Sequence, residues 1–512
     1  MHEEKILVID YGSQYTQLIA RRIRENNTYC EVLHPKSLNK KESFNKVIGV
    51  VLSGGPSSVT NSSNYDLPNL LFENNIPVLG ICFGMQLICK KFNGVIKEST
   101  SREYGKSMLE ITKDVKIFEG VNKSIEAWMS HGDSVTKSPE NFSIIASTNQ
   151  EGLSAIKSDY KEIYGIQFHP EVTHTLDDGK IIYNFVNGIC KSSSNWTTKN
   201  IIENQVSDIR KKVKGDNVIL GLSGGVDSSV AAAIIHKAIK EQLTCIFIDN
   251  GLLRLNEKIQ VEQGFKDFKN IKIIYVDSSA LFLKRLKGVL DPEEKRKVIG
   301  KTFIDVFQSE AKKIKNAKWL AQGTIYPDVI ESAAASDNAH LIKSHHNVGG
   351  LPKDMELKLL EPLKELFKDE VRKLGIQLGI EPKLINRHPF PGPGLAVRIL
   401  GEVKEDYAKI LRNADDIFIK MLHDRNLYNK ISQAFTVFMP VKSVGVTGDG
   451  RSYGNVVSLR AVKTIDFMTA KPFDFPFDFL EEVSSKIINE VPEISRVCLD
   501  ISSKPPATIE WE

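Results

Sequence analysis

Cysteine is scarce in this sequence, and the few that occur follow no pairing pattern. The 512 residues include six cysteines, none of them in a Cys-x-x-Cys pair. They stand at Cys30, Cys82, Cys89, Cys190, Cys245 and Cys498. A disulfide scaffold and a zinc knuckle both need closely spaced cysteines, so we exclude both kinds of protein.

Long apolar segments and a charge excess are missing as well. No window approaches the ~18–20 apolar residues that a membrane-spanning helix needs, and the N-terminus enters a short apolar strand without a signal-peptide pattern. The 68 basic and 64 acidic residues nearly cancel, which leaves a net charge of +4. We therefore expect a cytoplasmic protein that binds neither membranes nor nucleic acids.

Length and apolar patterning indicate several α/β domains. Short apolar runs at residues 5–10, 47–52 and 76–81 have the length of buried parallel strands, with helical patterns between some of them. A polar stretch at residues 191–195 lacks apolar periodicity and is a candidate linker. The predicted domains are 1–193, 194–390 and 391–512.

The most informative stretch is residues 218–235, where a short β-branched strand leads into a glycine pair and then an alanine-rich helix. The glycines let several N–H groups point inward and the helix start is partly positive, so the turn can hold phosphate. A Walker A loop is excluded, because no lysine follows Gly225 before Lys237. The stretch instead resembles the PP-loop of ATP pyrophosphatases. This resemblance assigns ATP binding to Ser223, Gly224, Gly225, Val226, Asp227, Ser228 and Ser229.

Cys82 follows a predicted strand, between Gly80 and Gly84, and precedes a helical stretch. The glycines permit a sharp turn that exposes the thiol, and a helix start favours a thiolate. His169 and Glu171 follow another strand and supply a base with a group to orient it. Together these residues resemble class I glutamine amidotransferases. The resemblance implies that the cysteine attacks the glutamine amide, the histidine moves its proton, and ammonia is released.

The same resemblance implies which residues hold glutamine. Backbone N–H groups near Gly55 and at Phe83 would form the oxyanion hole. Gln86, His131 and Asp133 match positions that contact the glutamine substrate.

The apolar pattern in the middle third of the chain predicts a second, doubly wound sheet. Strand-like runs at residues 243–249, 271–276 and 319–322 follow the phosphate loop. Ligands of such sheets bind beyond the carboxyl ends of the strands. Gly323, directly after the last of these runs, therefore falls in the predicted ATP site.

Three acidic residues are candidates for binding Mg²⁺. Asp328 and Glu331 are three residues apart, close enough to share a helical turn, and Asp227 lies in the phosphate loop. Carboxylates combined with substrate phosphates are typical Mg²⁺ ligands. The same spacing is also common on a solvated helix face, so both interpretations remain open.

The string RHPFPGPGL at residues 387–395 contains too many prolines and glycines to be helical. It is a signature of glutamine-hydrolysing GMP synthetases, a family that the chain resembles over essentially its full length. The resemblance implies XMP, ATP and glutamine as substrates, Mg²⁺ on the phosphates, and a homodimer built by a small α+β C-terminal domain. It places Lys343 in a lid loop near the ATP phosphates. It assigns XMP binding to Arg296, Gln433, Arg496, Lys504 and Glu510.

Three other kinds of protein share part of this pattern. A glutamine-dependent NAD synthetase shares the PP-loop, but its glutaminase is of the nitrilase type and lacks a Cys82, His169 and Glu171 set. A tRNA thiolation enzyme would carry catalytic cysteines near the ATP domain and a basic face. A non-catalytic regulator could retain the fold, and XMP-dependent AMP release distinguishes it from an enzyme.

Overall fold

A computed structural model describes residues 3–59, 65–149, 153–177, 179–266, 268, 270–330, 357–447, 450–464, 467 and 469–512. Two predicted site residues, Glu331 and Lys343, lie outside the described residues. The chain forms two compact units, Met1–Ile201 and Ile202–Glu512. In the described ranges, no helix is long and apolar enough to cross a membrane.

The first unit is built on a nine-stranded sheet. Its strands are β1 (Lys5–Ile9), β2 (Cys30–Leu33), β3 (Val47–Leu52), β4 (Val78–Ile81), β5 (Val95–Ile111), β6 (Ser124–Lys137), β7 (Phe142–Thr148), β8 (Leu153–Ser158) and β9 (Ile163–Ile166). Their order is β2-β1-β3-β4-β9-β8-β7-β5-β6. The first five strands of this order pair in parallel, as the sequence predicts, and the last four pair antiparallel. The antiparallel extension was not predicted.

Helices cover this sheet because their apolar residues recur on one face. In the first helix, Ile19, Ala20 and Ile23 are buried, and the two arginines between them, Arg21 and Arg22, are partly buried. The α-helices are α1 (Thr16–Glu25), α2 (Leu70–Glu73), α3 (Phe83–Lys91) and α4 (Lys180–Tyr183), and α5 (Thr198–Val213) follows.

The predicted linker is an ordered part of the first unit. Ser193 donates its backbone N–H and its hydroxyl to the carboxylate of Glu4, at 2.7 and 2.6 Å. Trp196 follows this segment directly, and its ring centre lies 4.5 Å from the guanidinium of Arg24. The same guanidinium lies 4.4 Å from the ring centre of Tyr29. These contacts attach the segment to the unit that precedes it.

The second unit contains a five-stranded parallel sheet in the order β12-β11-β10-β13-β14. The strands are β10 (Asn217–Gly221), β11 (Leu243–Asp249), β12 (Lys272–Asp277), β13 (Ala317–Ala321) and β14 (Lys358–Leu360). The helices around it are α6 (Val226–Ile239), α7 (Glu257–Gly264), α8 (Ser279–Leu286), α9 (Pro292–Ala311), α10 (Lys368–Gln377) and α11 (Pro382–Ile385). The order reverses direction beside β10, which is the predicted doubly wound arrangement and puts the ligand edge at the end of that strand.

A second, mixed sheet completes this unit. Its strands are β15 (Gln433–Thr447), β16 (Gly450–Lys463), β17 (Lys471–Pro472) and β18 (Ile494–Asp500). Helices α12 (Glu405–Asp424) and α13 (Phe477–Glu490) pack against it. The sequence predicts this α+β arrangement, including the buried stripe of α12.

One hydrophobic core extends through both sheets of the second unit. It joins Ile219 and Ile246 of the parallel sheet to Leu411 and Phe418 of α12 and Phe438 of β15. This core contains residues from both sides of the predicted domain boundary between residues 390 and 391. That boundary remains a prediction.

Candidate active sites

Cys82 occupies a strained turn between β4 and α3. Its φ of 53° lies in the left-handed region, and its side chain is 6% exposed. A Cβ on Gly80 would come within 2.5 Å of the Gly84 carbonyl carbon, and one on Gly84 would collide with the Leu52 carbonyl oxygen. Glycine is required at both positions, and the resulting turn presents the thiol at the strand end.

His169 and Glu171 form a buried pair. The imidazole Nδ1 donates to Oε1 of Glu171 over 2.7 Å, and His169 also hydrogen-bonds Cys82. Arg22, on α1, donates from Nε to the Glu171 backbone oxygen at 3.1 Å. The ring of Tyr15 packs edge-on against the imidazole. These contacts fix the tautomer and orientation of the histidine.

The electrostatics of this pair favour an imidazolium. Burial alone lowers the pKa of His169, but the charge of Glu171 and hydrogen bonds to Cys82 and Glu171 outweigh burial. The pKa of His169 is therefore held well above its ordinary value. A protonated His169 beside Cys82 stabilises the thiolate form of the nucleophile.

The predicted glutamine-binding residues lie around the same strand end. Gln86, on α3, donates from Nε2 to the Asp133 carbonyl oxygen at 2.9 Å, and His131 Nδ1 lies 3.1 Å from that oxygen. The Asp133 carboxylate accepts a 2.6 Å hydrogen bond from Ser58. The structure thus brings Gln86, His131 and Asp133 together and adds Ser58, which sequence reasoning missed.

The predicted oxyanion loop follows β3. A Cβ on Gly55 would lie 3.2 Å from the Phe83 ring, and one on Gly54 would lie 3.4 Å from Cε1 of His169. Phe83 is the first residue of α3, where backbone N–H groups have no helical acceptor. The structure therefore brings the Gly55 loop and the start of α3 to the catalytic side chains, as an oxyanion hole requires.

The phosphate loop joins β10 to α6. Gly224 has a φ of +74°, and a Cβ there would come within 2.9 Å of Val261. The hydroxyl of Ser223 accepts from Gly225 N–H at 3.3 Å and lies 3.0 Å from the hydroxyl of Ser228. These bonds shape a closed loop whose N–H groups lie at the start of a helix. Val226 and Ser229, in the first turn of that helix, are both buried.

Asp227, in the first turn of α6, pairs with a residue that sequence reasoning missed. Nζ of Lys368 lies 2.6 and 2.7 Å from its two carboxylate oxygens. Lys368 is the first residue of α10. Gly323 allows the segment after β13 to lie against this turn, since a Cβ there would meet Asp227 backbone atoms at 2.9 Å.

Asp227 and Asp328 are the predicted Mg²⁺ ligands that lie among the described residues. No three His, Cys, Asp or Glu residues gather into a metal-binding group among the residues that the structure describes. Mg²⁺ commonly binds one or two carboxylates together with substrate phosphates. Asp227, beside the phosphate loop, has the carboxylate that this chemistry needs, and in this structure Lys368 contacts both of its oxygens. Asp328 accepts the Ile325 N–H through Oδ2 at 3.0 Å.

A cavity of about 450 Å³ opens at the carboxyl ends of β11 and β12. Asp249, Glu257 and Ser279 line it together with Arg254 and Arg412. Glu257 is also a neighbour of Gly224 in the phosphate loop. The ligand edge of the sheet therefore carries both the loop and a sizeable cavity.

Two of the five predicted acceptor residues, Gln433 and Glu510, are in direct contact. Gln433 Nε2 donates to Oε1 of Glu510 at 2.7 Å. Arg398, which sequence reasoning missed, donates from Nε and Nη2 to the same carboxylate at 3.0 and 2.8 Å. Its guanidinium is 0% exposed and lies over the rings of Phe390 and Phe435. Phe390 belongs to the RHPFPGPGL segment, so this segment helps to bury the arginine.

The other three acceptor residues make different contacts. Arg296 donates from Nη2 to the Glu512 carbonyl oxygen, and the adjacent Lys295 binds the Glu512 carboxylate. Arg496 donates to the hydroxyl of Ser443 at 2.8 Å. Lys504 donates to the Phe467 carbonyl oxygen at 2.8 Å. Arg496 is exposed and Lys504 is partly buried. The assignment of all five residues to the acceptor remains a prediction.

Comparison with known proteins covers the whole chain. It is 55% identical to "GMP synthase [glutamine-hydrolyzing]" of Vibrio vulnificus (strain CMCP6), over 100% of this chain and 99% of that protein. The proteins of the same description from Vibrio campbellii and Photobacterium profundum show the same identity and coverage. The chain belongs to the glutamine-hydrolysing GMP synthase family. The sequence-based prediction of this family is confirmed.

Three family models match successive parts of this GMP synthase family member. "Glutamine amidotransferase class-I" matches residues 7–189, "NAD synthase" matches residues 198–272, and "GMP synthase C terminal domain" matches residues 420–511. The predicted fold class is confirmed by these matches and by the three sheets. The NAD synthase match is confined to the part that carries the phosphate loop, so the first and last matches exclude a NAD synthetase as the whole chain.

Proposed function

We propose that this chain makes GMP from XMP, with ATP consumed to AMP and pyrophosphate and with ammonia taken from glutamine. The supporting observation is that one chain carries two separate chemical sites. A hydrogen-bonded Cys82, His169 and Glu171 set lies in the first unit, and a phosphate loop lies in the second. Their combination in a chain matched over its full length by GMP synthases supports an amide-nitrogen transfer.

In the first reaction, the Cys82 thiolate attacks the side-chain carbonyl carbon of glutamine. N–H groups of the Gly55 loop and of Phe83 stabilise the negative oxygen, and imidazolium His169 gives its proton to the departing ammonia. Water, deprotonated by neutral His169, then hydrolyses the thioester and releases glutamate. Glu171 keeps the imidazole oriented through both steps.

In the second reaction, the 2-oxygen of XMP attacks the α-phosphorus of ATP and pyrophosphate departs. The N–H groups of the phosphate loop and the positive start of α6 hold the phosphates. Ammonia then attacks the activated carbon, AMP leaves, and GMP is formed. Lys368 supplies a positive charge at the loop through its contact with Asp227.

We propose Mg²⁺ as the metal cofactor, with Asp227 and Asp328 as its protein ligands together with Glu331 outside the described residues. When bound, Mg²⁺ neutralises phosphate charge. We propose that Lys343, also outside the described residues, approaches the phosphates. XMP is assigned to Arg296, Gln433, Arg496, Lys504 and Glu510, of which Gln433 and Glu510 are in direct contact.

A homodimer is proposed from the exposed apolar face of the hairpin formed by β15 and β16. Val441, Val444, Val446 and Tyr453 are exposed large apolar residues on its two strands, and exposed apolar clusters mark association surfaces. Sedimentation of the wild type as a dimer, and of Val446→Glu as a monomer, would support this. A cytoplasmic location is proposed because the described cysteines are all free, which is typical of a reducing compartment.

The decisive experiment is an assay with purified chain, ATP, Mg²⁺ and XMP. AMP and GMP should form in equal amounts with either glutamine or ammonium as nitrogen source, and AMP should not form without XMP. Stable ATP in the presence of XMP and ammonium would overturn the proposed function.

A further inference from the structure

Gln167 lies opposite the nucleophile across two parallel strands. The register of β4 and β9 pairs Ile81 with Ile166, so Cys82 and Gln167 follow their strands side by side. The backbone N–H of Cys82 donates to the Ile166 carbonyl oxygen at 2.7 Å, which keeps the two strand ends together. Gln167 is 3% exposed. It directly follows β9 and precedes His169 by two residues, and the side chains of both residues contact the Cys82 thiol.

The amide of Gln167 contacts the sulfur directly. Its Nε2 lies 3.6 Å from Sγ of Cys82, within the range of a hydrogen bond to sulfur. Its Oε1 accepts from Nε2 of Gln86 at 3.4 Å. The side chain therefore connects the nucleophile to helix α3.

A backbone carbonyl determines which end of this amide faces the sulfur. The Asp133 carbonyl oxygen can only accept, so the atom of Gln86 that lies 2.9 Å from it must be the NH₂ group. That NH₂ group also faces Gln167, which must then present its oxygen to Gln86. The NH₂ group of Gln167 is left to face Cys82. The sulfur thus has an N–H donor on a buried, neutral side chain.

We propose that Gln167 is a positioning residue that stabilises the Cys82 thiolate and aims it at the glutamine carbonyl. The inference rests on the proposed function, because it requires Cys82 to be the nucleophile. A thiolate accepts a hydrogen bond much more strongly than a thiol does, so the donor favours the reactive form. The ionisable groups that face the sulfur, His169 with its partner Glu171, are separate from this contact.

Two variants distinguish this role from simple packing. Gln167→Met keeps the length of the side chain and removes the donor. Gln167→Glu keeps the shape and places a negative acceptor beside the thiolate. Iodoacetamide alkylation of Cys82, followed by peptide mass spectrometry from pH 5 to pH 9, measures the thiolate directly.

We expect alkylation at pH 7 to be about 10-fold slower in Gln167→Met and slower still in Gln167→Glu. The alkylation curve should move to higher pH in the same order. The kcat for glutamine hydrolysis should fall more than the KM changes, while ammonia-driven GMP formation stays near wild type.

The chain offers controls for reagent and fold. Cys498 is exposed and reports the reactivity of iodoacetamide in the same sample. Gln242→Met is a matched control, because Gln242 donates to two backbone carbonyls at 2.9 and 2.7 Å in the second unit. It should leave Cys82 alkylation unchanged. If Gln167→Met loses ammonia-driven synthesis through misfolding, the nearly isosteric Gln167→Glu alone gives the result.

The two proposals fail in different ways. Wild-type alkylation curves in folded Gln167 variants would overturn the role of Gln167 and leave the proposed function intact. Persistent glutamine hydrolysis in Cys82→Ala would overturn the nucleophile itself, and the role of Gln167 with it.

Discussion

Nζ of Lys368 lies within 2.7 Å of both carboxylate oxygens of Asp227. The two residues are 141 positions apart, one at the start of α10 and one in the first turn of α6. An unpaired carboxylate at this position would repel incoming phosphates. The phosphate loop carries no lysine of its own, and α10 supplies the missing positive charge from elsewhere in the fold.

Replacing Lys368 should therefore impair the ATP reaction. We expect Lys368→Met to reduce ammonia-driven GMP synthesis by about 100-fold, because the Asp227 carboxylate then loses its positive partner and repels the incoming phosphates. Glutaminase activity measured without nucleotides should change little. Lys373→Met, at an exposed position of the same helix, is the matched control. Equal ATP turnover in the two variants would refute the role of Lys368.

Cys82→Ala should separate the two reactions. Glutamine-dependent GMP synthesis should fall at least ~1,000-fold, because no thiolate remains to form the thioester. Ammonium-dependent synthesis should stay within about twofold of wild type. Cys498→Ala, which removes an exposed thiol of the second unit, should retain both activities. The idea fails if a folded Cys82→Ala protein loses both activities equally.

Glu171 should determine the alkaline limit of glutamine hydrolysis. Its charge helps to hold the pKa of His169 above the ordinary value, so the imidazolium that protonates the leaving ammonia persists to higher pH. Activity that depends on this proton is lost as pH rises through the raised pKa. In Glu171→Gln that pKa falls, so the alkaline limb of the kcat profile should move to lower pH. An unchanged limb would show that Glu171 does not act through His169.

Arg398 should matter for the acceptor nucleotide. Both of its donors to Glu510 are lost in Arg398→Met, and we expect the KM for XMP to rise about 10- to 100-fold while the KM for glutamine stays constant. Arg398→Lys should restore little of the affinity for XMP, since an ammonium group cannot make the bidentate contact with Glu510. Equal KM values for XMP in the wild type and Arg398→Met would contradict this assignment.

His388 should make the second unit less stable in acid. Burial lowers the pKa of His388 to about 4. The ring donates to the Tyr428 carbonyl oxygen and accepts from the Ala434 N–H. As pH falls from about 6.5, the unfolded chain binds a proton first, so the free energy of unfolding decreases until pH approaches about 4.

The expected loss is about 3 kcal/mol. Urea unfolding of wild type and His388→Gln between pH 7 and pH 4 would measure it. The variant should lose less stability over this interval, and parallel curves would refute the effect of His388.

The carboxyl ends of the parallel strands could be predicted from the sequence, because buried parallel strands are short apolar runs. The functional residues follow directly after these runs. Cys82 and the phosphate loop were found this way. Strands β5 to β8 were missed, since an antiparallel strand with a solvated face carries many polar residues. Lys106, for example, projects from β5 to pair with Glu126 on β6.

Residues that act through contacts distant in sequence were not predictable. Lys368 and Arg398 belong to segments with no motif of their own, and only the fold brings them to Asp227 and Glu510. Gln167 was adjacent to a recognised motif and was treated as part of a strand. Its position directly after a predicted strand core, two residues before His169, was the available indication.

The cation–π stack of Arg24, Tyr29 and Trp196 determines where the chain can be truncated to make a separate amidotransferase fragment. A recombinant amidotransferase half that stops before the indole would expose a buried guanidinium and a tyrosine ring to water. Such a fragment should precipitate or bind hydrophobic dyes, whereas one extended through residue 201 should remain monodisperse.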